Sequence, residues 1–112
     1  MSTPSAPPVR AEEPVLRRLK AELARLYGPR LERVILFGSR ARGDARPDSD
    51  WDVAVILKGY DGGPAEADQL ADLGYDLLLE TGAVLSLKPF APEALEQRTL
   101  FMHNLRHEGV PV

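Results

Sequence analysis

The chain reads VILFGSRARGDARPDSDWDVAVIL over residues 34–57. One apolar run leads into a glycine-serine pair, and a second apolar run follows an Asp-Trp-Asp triplet. Short apolar runs bounded by turn residues are typical of buried β-strands. The stretch therefore predicts a strand, a tight turn headed by Gly38 and Ser39, and a short polar connection. A second strand, carrying Asp50 and Asp52, follows.

The two aspartates are separated by one residue, so on a strand both side chains point to the same side. Two carboxylates placed in this way can bind one hard divalent cation. The glycine-serine turn beside them offers backbone N–H groups to a phosphate. Phosphoryl or nucleotidyl transfer needs both features, because metal ions neutralise charge on the phosphates and on the attacking and leaving oxygens.

The composition indicates one small domain of 112 residues, with 44% hydrophobic residues, a net charge of −3 and no cysteine. Generic binding of duplex nucleic acid is not expected, since it normally requires a basic surface. Without cysteine there is no disulfide, thiolate zinc site or thiol nucleophile. No apolar run could span a bilayer, and the N-terminus lacks the apolar core of a secretory signal, so we expect a soluble cytoplasmic protein.

The pattern of the chain divides it into a flexible N-terminal tail at residues 1–12, rich in proline and small polar residues, and a folded domain at residues 13–112. The elements predicted along the domain are a helix from about Glu13 to Gly28, strands at about 33–37 and 52–57, a helix at 64–80, a strand at 84–90 and a helical region at 92–107. The leucines expected on the buried helix faces are Leu16, Leu19, Leu23 and Leu26, then Leu70, Leu73, Leu77 and Leu78. This order predicts an α+β fold, a small mixed β-sheet with helices packed on one face.

Two stretches, Gly38–Gly43 and Ser49–Asp52, carry a resemblance to the nucleotidyltransferase superfamily typified by DNA polymerase beta. Within it, the chain is most similar to the minimal nucleotidyltransferase (MNT) family. These are small proteins often encoded beside a HEPN-domain partner in toxin–antitoxin pairs. The signature of that family is Gly-Ser, about ten residues, and Asp-x-Asp at the head of the next strand. The resemblance covers the chain from about Val15 to its end and implies the polymerase beta-like nucleotidyltransferase fold.

The resemblance also implies a role for each residue of the signature. Gly38 lets the backbone approach a triphosphate, and Ser39 hydrogen-bonds the terminal phosphates. Asp50 and Asp52 are the implied catalytic residues and metal ligands, holding the divalent ions, normally Mg²⁺, that bridge the phosphates of ATP or another nucleoside triphosphate. Family members transfer a nucleoside monophosphate to a hydroxyl and release pyrophosphate. In the toxin–antitoxin branch the acceptor is a tyrosine of the partner toxin, which AMP addition silences.

Three side chains inside the motif have open alternatives. Arg42, like Arg40, either contacts the nucleotide or a partner, or has only a surface role. For Arg42 that surface role would be an ion pair with Asp44 or Asp48, which contributes little stability. Trp51 lies between the two aspartates and so points to the opposite face of its strand, where core packing is favoured over base stacking.

One position departs from the pattern of the MNT family. Active members carry a third aspartate on a later strand, inside an apolar triplet, and it helps to activate the attacking hydroxyl. The corresponding triplet here is Leu85-Ser86-Leu87, so Ser86 replaces the third carboxylate. Serine is a poor base at neutral pH and a weak metal ligand, and loss of a general base typically lowers a rate by about 10²–10⁴-fold. Asp76 or Glu80, on the preceding helix, is an alternative source of that carboxylate.

These observations lead to three functional hypotheses. The first is an Mg²⁺-dependent transferase that places AMP on a partner protein and acts as an antitoxin. The second is a catalytically weak or inactive protein that neutralises a HEPN partner by direct binding, a role that Ser86 favours. The third, modification of a small molecule, ranks last because such enzymes generally need an added helical domain. We expect association with a partner or with a second copy, because so small a domain buries limited area alone.

Overall fold

The computed structural model describes residues 13–112, so the tail predicted at residues 1–12 lies outside the described part of the chain. The helices are α1 (Pro14–Tyr27), α2 (Ser39–Arg42), α3 (Pro64–Thr81) and α4 (Leu100–Glu108), and the strands are β1 (Leu31–Phe37), β2 (Trp51–Leu57), β3 (Leu85–Phe90) and β4 (Val110–Pro111). Short 3₁₀ turns cover Gly28–Arg30 and Pro92–Glu96. Of the helices in residues 13–112, none has the length and apolar character that crossing a bilayer requires.

The four strands form one mixed sheet in the order β3-β2-β1-β4. Strand β2 pairs antiparallel with β1 and parallel with β3, and β4 pairs antiparallel with the other edge of β1. The register places Asp52 directly opposite Phe37 on one side and opposite Ser86 on the other. The predicted α+β class with a small mixed sheet is confirmed. The short strand β4 was not predicted.

Helices α1 and α3 cover one face of the sheet. Their predicted leucine stripes lie in the core with two exceptions, Leu26 and Leu78, which are each 36% exposed. In the last turn of α1 the buried position belongs to Tyr27 instead. The residues that pack from the sheet side are Val34, Leu36, Trp51, Val53, Val55, Leu57 and Leu85.

The prediction that the helices pack on one face of the sheet is wrong in one respect, because α4 packs on the opposite face. Met102 and Leu105 of α4 form a second cluster with sheet residues. The residues that receive them are Ile35, Ala54 and Ile56. The physical reason lies in β2, where every residue from Val53 to Leu57 is buried. A strand with two apolar faces requires cover on both of them.

Candidate functional site

The turn after β1 presents unpaired backbone donors. Gly38 has φ +74° and ψ −157°, a conformation essentially restricted to glycine, and Ser39 begins α2 directly after it. The N–H groups of Ala41 and Arg42 both donate to the Gly38 carbonyl at 3.1 Å. Among the backbone groups in residues 13–112, no carbonyl accepts from the N–H groups of Ser39 or Arg40. The start of this turn therefore keeps two donors available, as the first residues of a helical turn do.

The carboxylate of Asp52 lies against this turn. A β-carbon built on Gly38 would lie 2.5 Å from Oδ2 of Asp52 and 3.3 Å from its Cγ, so only a glycine leaves room for the carboxylate. By the alternation of β2, Asp52 shares a face with Ala54 and Ile56, on the side that α4 covers. Its side chain is half-buried there. The turn and the carboxylate, fourteen positions apart in sequence, thus lie in direct proximity, as the motif predicts.

Asp50 lies one residue before β2 and is exposed, so the strand carries one aspartate at its start rather than two. The charge of Asp50 still acts on Asp52. Burial is the main cause that raises the pKa of Asp52 above its ordinary value, and the charge of Asp50 is the second. The positive charges of Lys88 and Arg42 act in the opposite direction and lower that pKa. Asp50, Asp52, Lys88 and Arg42 therefore form one electrostatic cluster.

Ser86, the residue that the sequence pattern predicts in place of the third carboxylate, lies directly opposite Asp52 on the neighbouring parallel strand. The alternative that Asp76 or Glu80 supplies this carboxylate is wrong, because α3 covers the other face of the sheet. Glu80 binds Arg18 of α1 at 2.8 Å instead. In the part of the chain that the structure describes, no cluster of three or more acidic, histidine or cysteine side chains could hold a metal.

The donor set fits a magnesium ion bound with its substrate. Mg²⁺ prefers oxygen ligands and is usually bound by one or two carboxylates together with substrate phosphates and water. Asp50 and Asp52 would provide those two carboxylates, and Asp52 lies against the turn whose N–H groups after Gly38 are free. Asp52 is held in a partly buried place next to a like charge. Such a carboxylate gains from a cation that neutralises it.

Arg42 lies at the edge of this cluster and bridges two carboxylates. Its guanidinium is 3.3 Å from Asp44, one of the two surface partners predicted for it, and 3.6 Å from Glu108 of α4. A cavity of about 210 Å³ opens beside Arg42 and Gly38, and the side chains Phe37, Phe101 and Asn104 also line it. The Arg42 side chain remains 47% exposed, and ion pairs at such exposed positions contribute little stability.

Arg40 has a structural role in this fold. Its guanidinium lies 4.1 Å from the ring centroid of Trp51 and donates to the Ser49 carbonyl at 2.8 Å and to the Pro47 carbonyl at 3.1 Å. Trp51 itself is 7% exposed and packs in the α1–α3 core, so its predicted packing role is confirmed. Together the two side chains hold the connection that ends at Asp50.

Sequence reasoning missed two charged residues of this region, Lys88 and Glu108. The alternation of β3 contains a signal for Lys88, since it shares a strand face with Ser86, but nothing in the sequence indicates how near that face lies to Asp52. Glu108 approaches through α4, whose packing on this face only the tertiary structure reveals.

Comparison with known proteins assigns the family. The nucleotidyltransferase domain family matches residues 16–101. The chain is 31% identical over 100 residues to MJ0604, a predicted protein adenylyltransferase of Methanocaldococcus jannaschii. The matched region covers 88% of this chain and 94% of that protein. A second predicted protein adenylyltransferase of the same organism, MJ0141, is 41% identical over 44 residues, which is 39% of this chain and 44% of that protein.

Solved structures share the fold. A toxin–antitoxin crystal structure with AMP-PNP superposes with a TM-score of 0.59 at 21% identity, over 84% of this chain and 69% of that chain. A mutant of the toxin–antitoxin MntA–HpeT superposes at 0.58 and 20% identity with the same coverage. A nucleotidyltransferase of Sulfolobus solfataricus, assigned to that class by prediction, superposes at 0.54 and 24% identity, over 87% of this chain and 75% of that chain. The chain belongs to the nucleotidyltransferase domain family.

Proposed function

We propose that this protein transfers AMP from ATP to a hydroxyl of a partner protein, with Mg²⁺ as the cofactor, and that the partner is the HEPN-domain toxin of a toxin–antitoxin pair. The observation that carries the proposal is the contact between Asp52 and Gly38. It brings the Asp52 carboxylate next to free backbone N–H donors, and a metal–triphosphate needs both a carboxylate for the metal and donors for the phosphates.

Each part of the site has a defined task in this reaction. The N–H groups of Ser39 and Arg40 bind phosphate oxygens, and the Ser39 hydroxyl donates to the same phosphates. Asp50 and Asp52 hold Mg²⁺, which supplies positive charge to the phosphates. Arg42 turns from its surface carboxylate partners towards the nucleotide. The acceptor oxygen forms a bond to the α-phosphorus, the bond from that phosphorus to the bridging oxygen breaks, pyrophosphate leaves, and the hydroxyl proton passes to solvent.

The relatives support the protein acceptor. The M. jannaschii protein that spans most of this chain is named for protein adenylyltransferase activity, and the toxin–antitoxin structures share the fold. The cavity beside Gly38 opens towards α4, where Phe101 is 37% exposed and stacks edge-on against Phe37. An exposed aromatic side chain next to the site suits an approaching aromatic acceptor such as a tyrosine.

A second candidate function is neutralisation of the toxin by binding alone. The observation in its favour is Ser86, which faces Asp52 where a third carboxylate would activate the acceptor hydroxyl. In this alternative the site is regulatory or vestigial, and the protein surface rather than the reaction inhibits the toxin.

The test is transfer of label from α-³²P-ATP to the product of the neighbouring gene in the presence of Mg²⁺. We expect labelling by the wild-type protein and a loss of at least about a hundredfold in Asp50→Asn and Asp52→Asn. Asp48→Asn is the matched control, because Asp48 is an exposed aspartate of the same loop. Full toxin neutralisation by Asp52→Asn, without any transferred label from the wild type, would favour the binding role instead.

A further inference from the structure

The face of the sheet that carries Asp52 also carries a lysine. In the parallel register of β2 and β3, Asp52 pairs with Ser86 and Ala54 pairs with Lys88. Side chains of paired residues share a face, so Lys88 lies one step along the sheet from Asp52. Lys88 is thus a diagonal neighbour of Asp52, and its own partner on β2 is Ala54, whose side chain is small.

The Lys88 side chain is available to a ligand. It is exposed, and within residues 13–112 no carboxylate lies within 4 Å of its ammonium group to form a salt bridge. The strand register places it on the same face as Asp52. Lys88 is therefore a cation that faces the candidate site without a carboxylate partner of its own in the described residues.

The charges of this face differ from those of a site with three carboxylates. Asp50 and Asp52 contribute two negative charges, Ser86 contributes none, Lys88 contributes a positive one, and Arg42 is paired with carboxylates of its own. Two carboxylates match the charge of one divalent cation. A second divalent cation on this face would meet a neutral hydroxyl and an ammonium group in place of a third carboxylate, and like charges at close range disfavour it.

We propose that the site takes a single divalent cation, held by Asp50 and Asp52, and that the Lys88 ammonium binds the nucleotide phosphates in the place that a second cation occupies in two-metal sites. The inference rests on the proposed function, since it names the groups that receive the metal–nucleotide. Lysine is suited to this contact, because its ammonium is a compact point charge on a flexible stem.

The first test counts metal ions. Electron paramagnetic resonance of Mn²⁺ titrated into the whole chain with saturating AMP-PNP gives the number of ions bound per chain. We expect one ion for the wild type and two for a Ser86→Asp/Lys88→Ala double variant, which restores the third carboxylate and removes the competing charge. Two ions bound by the wild type would overturn the inference.

The second test measures affinity for AMP-PNP by calorimetric titration in Mn²⁺. We expect Lys88→Ala to bind the nucleotide about tenfold more weakly, and Lys88→Arg to keep most of the affinity because it keeps the charge. Lys20→Ala is the control, since Lys20 is an exposed lysine of α1, on the other side of the sheet. Equal affinities for Lys88→Ala and Lys20→Ala would overturn the inference, and circular dichroism checks that each variant is folded.

The outcomes separate this inference from the proposed function. If the wild type binds no Mn²⁺ with AMP-PNP, both fail together. If it binds the nucleotide, and Asp52→Asn abolishes that binding, the nucleotide site stands whatever the metal count. In that case, a count of two bound ions or an unchanged nucleotide affinity of Lys88→Ala would contradict only the role proposed for Lys88.

Discussion

The Asp52 carboxylate packs directly against Gly38: its Oδ2 atom lies 2.5 Å from the point that a β-carbon on residue 38 would occupy. The turn conformation depends on the absence of a side chain because φ at Gly38 is +74°. The close approach depends on it because a β-carbon would meet the Asp52 carboxylate. The position is thus constrained twice, by the backbone and by its neighbour.

We expect Gly38→Ala to displace Asp52 and to weaken nucleotide binding by about tenfold or more. The strained backbone adds a loss of about 1–3 kcal/mol in the free energy of unfolding. The control is Gly82→Ala, because Gly82 also has a positive φ, +79°, but a β-carbon there meets nothing within 4 Å. Gly82→Ala loses about 1–2 kcal/mol of stability and keeps its affinity. Calorimetric titration of AMP-PNP compares the two, and equal affinities would contradict the prediction.

Arg40→Lys is expected to lower the free energy of unfolding by about 1–2 kcal/mol. A lysine cannot reproduce the guanidinium fork that donates to the Ser49 and Pro47 carbonyls while it stacks on Trp51. Urea unfolding measures the change. Arg46→Lys, an exposed arginine in the same loop, should remain within about 0.5 kcal/mol of the wild type. A similar loss in both variants would show that the loop does not depend on Arg40.

Asp52→Asn is expected to stabilise the protein at pH 7 while it removes nucleotide binding. Burial and the charge of Asp50 raise the pKa of Asp52, so the folded state binds this proton more tightly than the unfolded state. The stability that Asp52 contributes is present below the ordinary value of 3.8 and is lost as the pH rises through the higher folded pKa. An asparagine at this position does not ionise, so the variant does not lose this stability as the pH rises.

The gain at pH 7 is expected to be below about 1 kcal/mol, since the half-buried group is partly screened by solvent. It should shrink as the pH falls through the raised folded pKa of Asp52 and vanish below the ordinary value of 3.8, where the carboxyl is protonated in both states. Urea unfolding at several pH values measures this, and Asp76→Asn gives the effect of removing one exposed acidic charge. An Asp52→Asn variant less stable than the wild type at pH 7 would refute the assignment.

Thr99→Ala is expected to lower the free energy of unfolding by about 1 kcal/mol. The Thr99 hydroxyl accepts a hydrogen bond from the Met102 N–H at 3.1 Å and caps α4, the helix that covers the face of the sheet where Asp52 lies. Thr99→Ser keeps the hydroxyl and should keep the stability. Thermal unfolding distinguishes them, and a loss of the same size in both would point to the threonine methyl group instead of the cap.

Much of the candidate site could be predicted from the sequence because its signals are local. The alternation of a strand places Trp51 and Asp52 on opposite faces, and the structure has them so. A glycine next to an apolar run predicted the turn, and Gly38 does have a positive φ. The predicted strand at about 52–57 agrees with β2 to within one residue, but the expectation that this strand also carries Asp50 was wrong, since strand boundaries depend on pairing that a single segment does not determine.

The sequence by itself determined the strand–turn–strand unit and the nucleotidyltransferase class of its motif, because residue type and spacing contain that information. Only the tertiary structure decided that α4 closes the second face of the sheet. The same holds for the approach of Glu108 to Arg42 and the position of Lys88 beside Asp52. These relationships join segments far apart in the chain, and they depend on which apolar faces pack together rather than on any local pattern.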